Sequence, residues 1–338
     1  MKAMRLVEFG DPPAFELHEV ADEPPGRGEV TIALRAASLN RRDPWVWRTP
    51  GYCPLPVTLG SDGAGTVLEV GAEVARPVVG DEVVIYPTLG WEDGATTPGD
   101  DFDILGAPTD GTFAERIRVA ATSTYPRPQR LSWQESAALP LAGLTAFRAM
   151  FTCGGVEPGT KVLVTGAGSG VATFLVQLAV AAGAEVAVTT GSAEKAARCR
   201  DLGAAAAVLY SDERWPEELA KAVGPLDVVV DSFGADSFSR ALPLLRRGGT
   251  FVSFGDTGGA SAALPVAEVY WEWRTIVGTS MGSPGEFREL LAHVEAASWH
   301  PVIDSAFSLE QLPLAAERLF SPDRFGKVVL DISRPVDG

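Results

Sequence analysis

The chain has 338 residues, 46% of them hydrophobic, and 44 acidic against 28 basic side chains give a formal net charge of −16. This length suits two domains with separate cores, and the composition is that of an ordinary globular protein. The acidity argues against a phosphate backbone or an anionic membrane as partner. No run approaches the roughly 18 consecutive apolar residues of a membrane span, and the N-terminus lacks the apolar core of a signal peptide. Cys53, Cys153 and Cys199 are scattered, which suits a reducing, cytoplasmic setting, and three distant histidines (His18, His293, His300) cannot build a His-rich metal site.

In chain order, residues up to about 128 read as short strands and turns. Glu29 to Leu34 alternates polar and apolar, and Gly65 to Gly71 and Gly80 to Ile85 are further strands bounded by glycine turns. Residues 87 to 111, rich in Gly, Pro and Asp, read as a long surface loop. Ser132-x-x-Glu135 is a capping-box signature opening an apolar helical run through Phe147. Strands at 161–165, 185–190, 208–210, 227–231, 250–254 and 275–278 then alternate with helices at 171–182 and 193–202. Continuously apolar strands between helices indicate a parallel sheet covered on both faces, the doubly wound dinucleotide fold. The tail (helix 284–297, strand 302–307, helix 309–319, strand 327–332) is expected to pack back on the first domain. The boundaries predicted are 1–128, 129–275 and 276–338.

Lys161 to Ala172 reads as strand, glycine turn and helix start. Gly166, Ser169, Gly170 and Val171 would let a pyrophosphate approach the backbone and meet the helix N–H groups. The strict G-x-G-x-x-G spacing fails, because Val171 stands where the third glycine belongs; the strand before and the helix after carry the assignment. An NAD enzyme places Asp or Glu at the end of the second strand, whereas this one ends Val188-Thr189-Thr190-Gly191-Ser192. Glu194 and Asp201 fall on the following helix. Ser192 and Lys195 suit a 2′-phosphate, so NADPH is the cofactor expected; an exposed helix lysine is the other reading of Lys195.

These residues resemble the medium-chain dehydrogenase/reductase superfamily over essentially the whole chain. The resemblance is carried by Leu59 to Val67, Gly80 to Val83, Asp110 to Glu115, Leu144-Thr145-Ala146, the phosphate loop and Gly326 to Leu330. It implies an α/β protein with a central Rossmann doubly wound parallel sheet plus a GroES-like, mostly-β substrate domain, with the active site in the cleft between. It also implies a homodimer joined through the last Rossmann strand, near Thr275 to Thr279. The family's catalytic zinc ligands would fall at Asn40, at Ser61 and near Pro140 or Leu141, and residues 87 to 108 hold none of the structural-zinc cysteines, so no metal is expected. The sequence is similar to the zinc-independent quinone oxidoreductase and enone reductase branch.

That resemblance puts Asn40, Asp43 and Tyr52 at the catalytic cleft. Tyr52 could donate to the substrate oxygen, since a phenol is protonated at neutral pH, or could simply close the cleft as a packed aromatic. Asn40 could bond the nicotinamide ribose or the substrate, or satisfy local backbone. Asp43 and Asp62 could instead organise the Arg41/Arg42 surroundings. Tyr210 matches a position beside the 2′-phosphate, with a sheet-end aromatic as the alternative. Phe233, Phe254 and Gly255 lie at carboxyl ends of strands, where such sheets bind ligands. Thr145, Met281 and Lys327 are carried over from the family as cofactor residues, and Trp45, Trp47, Trp271 and Trp273 are candidates for an aromatic substrate wall. The reading is a metal-free, NADPH-dependent reduction of an enone or a quinone. A zinc-free alcohol or aldehyde reductase and a non-catalytic NADPH-binding sensor or scaffold are the rivals.

Overall fold

The computed structural model describes residues 1–332. Strands β1 (Lys2–Glu8), β2 (Ala14–Glu19) and β3 (Glu29–Ser38) lead into the short helix α1 (Arg42–Trp47). β4 (Val57–Thr58), β5 (Asp62–Val70), β6 (Glu82–Ile85), β7 (Thr88–Leu89), β8 (Asp103–Ile104), β9 (Arg116–Ala120) and β10 (Thr124–Pro126) follow. Then come α2 (Trp133–Ala138) and α3 (Pro140–Phe147), continued by a π-helical turn over Arg148–Cys153. The alternating stretch is β11 (Lys161–Ala167), α4 (Gly170–Ala181), β12 (Glu185–Thr190), α5 (Ala193–Asp201), β13 (Ala206–Leu209), α6 (Trp215–Val223), β14 (Leu226–Asp231), α7 (Ala235–Ala241), β15 (Leu245–Ser253), α8 (Val266–Trp271) and β16 (Thr275–Gly278). The chain closes with α9 (Pro284–Ala296), β17 (Ile303–Ser308), α10 (Leu312–Arg318) and β18 (Lys327–Asp331).

Two compact units result, 1–142 with 283–338, and 143–282. The divisions fall at 142/143, within α3, and at 282/283, rather than at the predicted 128/129 and 275/276. The reason is local: α2 packs on β3, β5 and β18, so the capped helix stays with the first sheet. The capping box forms as its spacing predicts, Glu135 N–H donating to Ser132 Oγ at 3.2 Å and Ser132 N–H to the Glu135 carboxylate at 2.8 Å. Pro140, however, splits the predicted run into two helices, because proline opens a helix but cannot continue one.

In the first unit the main sheet runs β10-β6-β5-β3-β18-β17, with β9 also paired to β3. β18 lies antiparallel to β3 in the register Val329–Ser38, which returns the tail to the first strands and sets Lys327 beside Asn40. Its core includes Leu6, Trp47, Leu59, Phe113 and Leu330, so Trp47 is a packing residue and not part of a substrate wall. Residues 87–108 are not a simple surface loop. β7 and β8 pair, and Trp91, Leu105 and Ala107 are buried.

In the second unit six parallel strands take the order β13-β12-β11-β14-β15-β16. The order reverses between β11 and β14, the switch point at which doubly wound sheets bind ligands. Leu163, Ala187, Val229 and Phe251 of the sheet pack with Trp215 and Leu219 of α6. Helices α6, α7 and α8 are not among the expected elements, although α6 carries its buried Trp215, Leu219 and Val223 at the four-residue spacing of a helical face. No helix among the described residues is long and apolar enough to cross a membrane.

Candidate active site

The second unit supplies a phosphate cradle. Gly166 and Gly168 have φ of +63° and +115°, a region that side chains other than glycine rarely enter. Ser169 caps α4, its Oγ accepting Ala172 N–H at 3.2 Å, and the first helical amides, Gly170 and Val171, have no intrahelical acceptor. Two threonines from β12 hold the loop: Gly166 N–H donates to Thr189 Oγ1 at 3.1 Å, and Thr190 Oγ1 donates to the Ala167 carbonyl at 2.7 Å. A glycine turn pinned to its neighbouring strand and followed by uncommitted helix amides fits a dinucleotide's diphosphate.

Sequence reasoning missed what braces this cradle. Asp231, fully buried at the tip of β14, accepts Thr165 Oγ1 at 2.5 Å, Ser237 Oγ at 2.6 Å and Gly234 N–H at 2.7 Å. It ties β11 to the loop after β14 across the switch point. The signal was there, an aspartate ending the apolar run Val228-Val229-Val230, but the partners were not.

At the end of β12 no carboxylate is present. Ser192 caps α5 by accepting Lys195 N–H at 3.2 Å, and Glu194 is exposed on that helix. The Tyr210 hydroxyl lies over Gly191, where an added Cβ would stand 2.5 Å from it. Tyr210 and Phe233 are both partly exposed and face each other with ring centroids 6.5 Å apart at 29°. Phe254 N–H donates to the Asp231 carbonyl at 3.0 Å, and Gly255 packs close to the Ser232 carbonyl. Thr145, on α3, and Met281, buried with φ +55°, are also in this unit. Arg148 Nε donating to Thr279 Oγ1 at 3.0 Å joins the two segments that carry them.

Lys327 belongs to the first unit and is at the centre of its buried polar network. Its Nζ donates to Asn40 Oδ1 at 2.6 Å, to the Leu39 carbonyl at 2.9 Å and to Asp62 Oδ2 at 3.0 Å. Asp62 also accepts Ser38 Oγ at 2.7 Å, Asn40 Nδ2 at 2.8 Å and Leu141 N–H at 2.7 Å. Burial pushes the Lys327 ammonium down, and the Asp62 carboxylate offsets part of that. Both ends of the Asn40 amide are therefore committed to the protein. Asn40 and Lys327 hold each other and Asp62, an arrangement the sequence did not suggest.

Asp43 is buried beside this network. Its Oδ2 accepts Asn40 N–H at 2.7 Å, while Oδ1 has no hydrogen-bond partner. Desolvation pushes its carboxyl up to about 7, against the lowering pull of that amide and of Arg42 and Lys327. Tyr52 is half-buried, edge-on to Trp45 at 4.7 Å, with Arg42 Nη2 3.5 Å from its hydroxyl. Arg42 Nη2 also donates to the Ile104 and Ala107 carbonyls at 3.0 and 2.7 Å. Ser61 Oγ donates to the Leu105 carbonyl at 2.7 Å, so the 104–107 segment is strapped to α1 and to the chain entering β5.

A zinc ion does not suit these residues. Asn40 is used at both ends, Ser61 is bonded to Leu105, and Leu141 offers no donor side chain, whereas zinc takes thiolate, imidazole or carboxylate. Among the described residues no group of three His, Cys, Asp or Glu side chains is gathered to hold a metal.

Comparison with known proteins agrees with this geometry in fold. Residues 26–129 match the alcohol dehydrogenase GroES-like domain family, and residues 170–296 match the family described as zinc-binding dehydrogenase. The chain is 35% identical to a zinc-type alcohol dehydrogenase-like protein of Schizosaccharomyces pombe, covering 90% of this chain and 91% of that one. It is 29% identical to an acryloyl-coenzyme A reductase of Sulfurisphaera tokodaii, covering 98% and 99%. A solved NAD-dependent alcohol dehydrogenase superposes with a TM-score of 0.91 at 35% identity, covering 98% of this chain and all of that one. With a GroES-like first unit, a doubly wound second unit and relatives alike over nearly their full lengths, the chain belongs to the medium-chain dehydrogenase/reductase superfamily of oxidoreductases.

Proposed function

We propose that this oxidoreductase uses NADPH to reduce a carbon–carbon double bond conjugated to a carbonyl, or a quinone, without a metal. The observation that carries the reading is that Asn40 is closed into the Asn40–Asp62–Lys327 network while Ser61 is bonded to Leu105, which leaves neither position as a zinc ligand. Reducing a simple carbonyl concentrates charge on one oxygen and benefits from a Lewis acid. In conjugate addition the charge delocalises as an enolate, and hydrogen-bond donors suffice. Bound NADPH supplies the hydride, which adds to the β-carbon. Tyr52 donates to the carbonyl oxygen, Arg42 lies beside its hydroxyl, and water or Tyr52 protonates the enolate. The acryloyl-coenzyme A reductase relative catalyses, by its name, a reduction of this kind.

NADPH rather than NADH rests on the strand end without a carboxylate, on Ser192 and Lys195 at the start of α5, and on the Tyr210 hydroxyl over Gly191. The solved NAD-dependent alcohol dehydrogenase that this chain resembles pulls the other way, and kinetics with NADPH against NADH decides between the two. Two copies would pair through β16, the outer strand of its sheet in the order above, which carries exposed Ile276 and is preceded by exposed Tyr270, Trp271 and Trp273. The deciding assay follows NADPH oxidation with 2-alkenals, a 2-enoyl thioester and 1,2-naphthoquinone against saturated aldehydes. Preference for the conjugated acceptors is expected; saturated aldehydes as the better substrates would overturn the reading in favour of an aldehyde reductase.

A further inference from the structure

We propose that the exposed face of α1 is a subsite for the nucleotide tail of a coenzyme A thioester, with Trp45 stacking on the purine and Arg41 and Arg48 binding its phosphates. This rests on the conjugate-reductase reading above and names the substrate class of that site.

Residues 41, 45 and 48 recur at the i, i+4, i+7 spacing that places side chains on one helical face. Trp45 is 53% exposed, unlike its neighbour Trp47 in the core, and meets Tyr52 in a T-shaped pair. Half of its surface is open to solvent, and aromatic faces stack on bases with roughly 1–3 kcal/mol each. The Arg41 and Arg48 guanidiniums lie 5.1 and 4.4 Å from the centroid of one ring, that of partly exposed Phe320. The buried Arg324 donates from Nε to the Leu319 carbonyl and from Nη1 to the Gly326 carbonyl.

The charge balance of the group runs against that of the chain, which has 16 more acidic than basic residues. Here Arg48 has Asp11 at 2.8 Å, but no carboxylate among the described residues forms an ion pair with Arg41, and Arg324 only feels Asp304 from a distance. Asp304 is itself taken by Arg318 at 2.7 Å. Partial desolvation and the Arg48 charge push the Arg41 guanidinium down, and burial with the Arg41 charge pushes Arg324 down to about 10. Three like charges gathered with a single ion pair among them repel, and an anion relieves that repulsion. The cofactor's diphosphate already has the glycine cradle of the second unit, so this group is left for a second phosphate-bearing ligand. Tyr52 follows α1 directly, which places the phosphate contacts and the proposed donor to the thioester carbonyl on one short stretch of chain.

The test titrates coenzyme A itself into the full-length protein saturated with NADPH, by calorimetry, for the natural chain, for Arg41→Gln with Arg48→Gln, and for Trp45→Leu. Coenzyme A should bind the natural protein, and each variant should weaken it at least about tenfold while NADPH affinity holds. In turnover, the preference for a 2-enoyl-CoA over the same acyl group on N-acetylcysteamine should collapse toward unity in the double variant. No coenzyme A binding under NADPH saturation would overturn the proposal. So would an equal loss of NADPH affinity in the arginine variant, which would assign the cluster to the cofactor. Binding of coenzyme A without reduction of any conjugated acceptor would instead leave the subsite standing and defeat the conjugate-reductase reading.

Discussion

Replacing Asp62 by asparagine should destabilise the first unit severely, and removing Lys327 as well should return much of the loss. Asp62 is fully buried and Lys327 is 3% exposed, so neither charge has water to fall back on. At 3.0 Å their attraction is about 5 kcal/mol with an effective dielectric near 20. Most of that offsets the cost of desolvating both. Taking away one partner leaves an uncompensated buried ammonium, for which about 3–5 kcal/mol is typical. For a unit of this size that is roughly 6–20 °C of midpoint. Asp62→Asn keeps an oxygen for Ser38 and Asn40 but turns an amide nitrogen toward Leu141 N–H, so the single loss combines the charge with that hydrogen bond and the double-variant cycle separates the two. Urea unfolding followed through the first unit's transition, for both single variants and for Asp62→Asn with Lys327→Met, gives the coupling energy. A coupling of about 2–3 kcal/mol is expected. The ammonium in the folded Asp62→Asn protein is depressed, so the unfolded chain binds more protons and stability should rise with pH through the alkaline range. Strictly additive single losses, or no gain at alkaline pH, would refute the buried-pair argument.

Three other outcomes follow from the same geometry. Lys195→Ala should raise KM for NADPH about tenfold or more and leave NADH little changed, since an ammonium contact to a 2′-phosphate is charge-assisted; steady-state kinetics with both cofactors checks it, and equal effects would remove Lys195 from that contact. Asp43, raised to about 7 when folded against about 3.9 unfolded, binds more protons in the native state between those values. Its contribution to stability is therefore full below pH ~4 and is lost as pH rises through 7, a change of up to about 4 kcal/mol; Asp43→Asn should flatten that fall, and parallel pH profiles for variant and natural protein would contradict it. Metal analysis of the purified protein should find well under one zinc per chain, with activity indifferent to a chelator; stoichiometric zinc would defeat the metal-free reading.

What could be read from the sequence was chemistry confined to one turn or one strand. The glycine loop, its capping serine and the strand end at Thr190-Gly191-Ser192 are each contiguous, and their conformations follow from residue type alone. The α2 capping box is equally local. The Asp62–Lys327 pair spans 265 residues and exists only because β18 pairs with β3, a register no short pattern reports. Asp231 ended a readable strand, but its partner Thr165 lies 66 residues away on β11. α1 is six residues long, too short for a helical period to show in the sequence, and its burial reveals it, with Val46 and Trp47 inward and Trp45 outward.

The family description that mentions zinc and the side chains present here lead to different chemistry, and the difference can be placed on particular atoms. Restoring a ligand at residue 40 would withdraw an amide that accepts from Lys327 and donates to Asp62. An imidazole at residue 61 would have to displace the hydroxyl strapped to Leu105, next to Gly60, where an added Cβ would run into Phe113 and Thr112. Substituting residue 40 therefore costs part of a network that holds two buried charges, and substituting residue 61 costs the strap to Leu105, before a metal has gained a single ligand. On the proposed reading, the same closure that makes the first unit dependent on Asp62 and Lys327 also leaves the site to hydrogen-bond donors. Stability and the proposed reaction class would then rest on the same few side chains, so losing the pair should be felt in unfolding and not only in turnover.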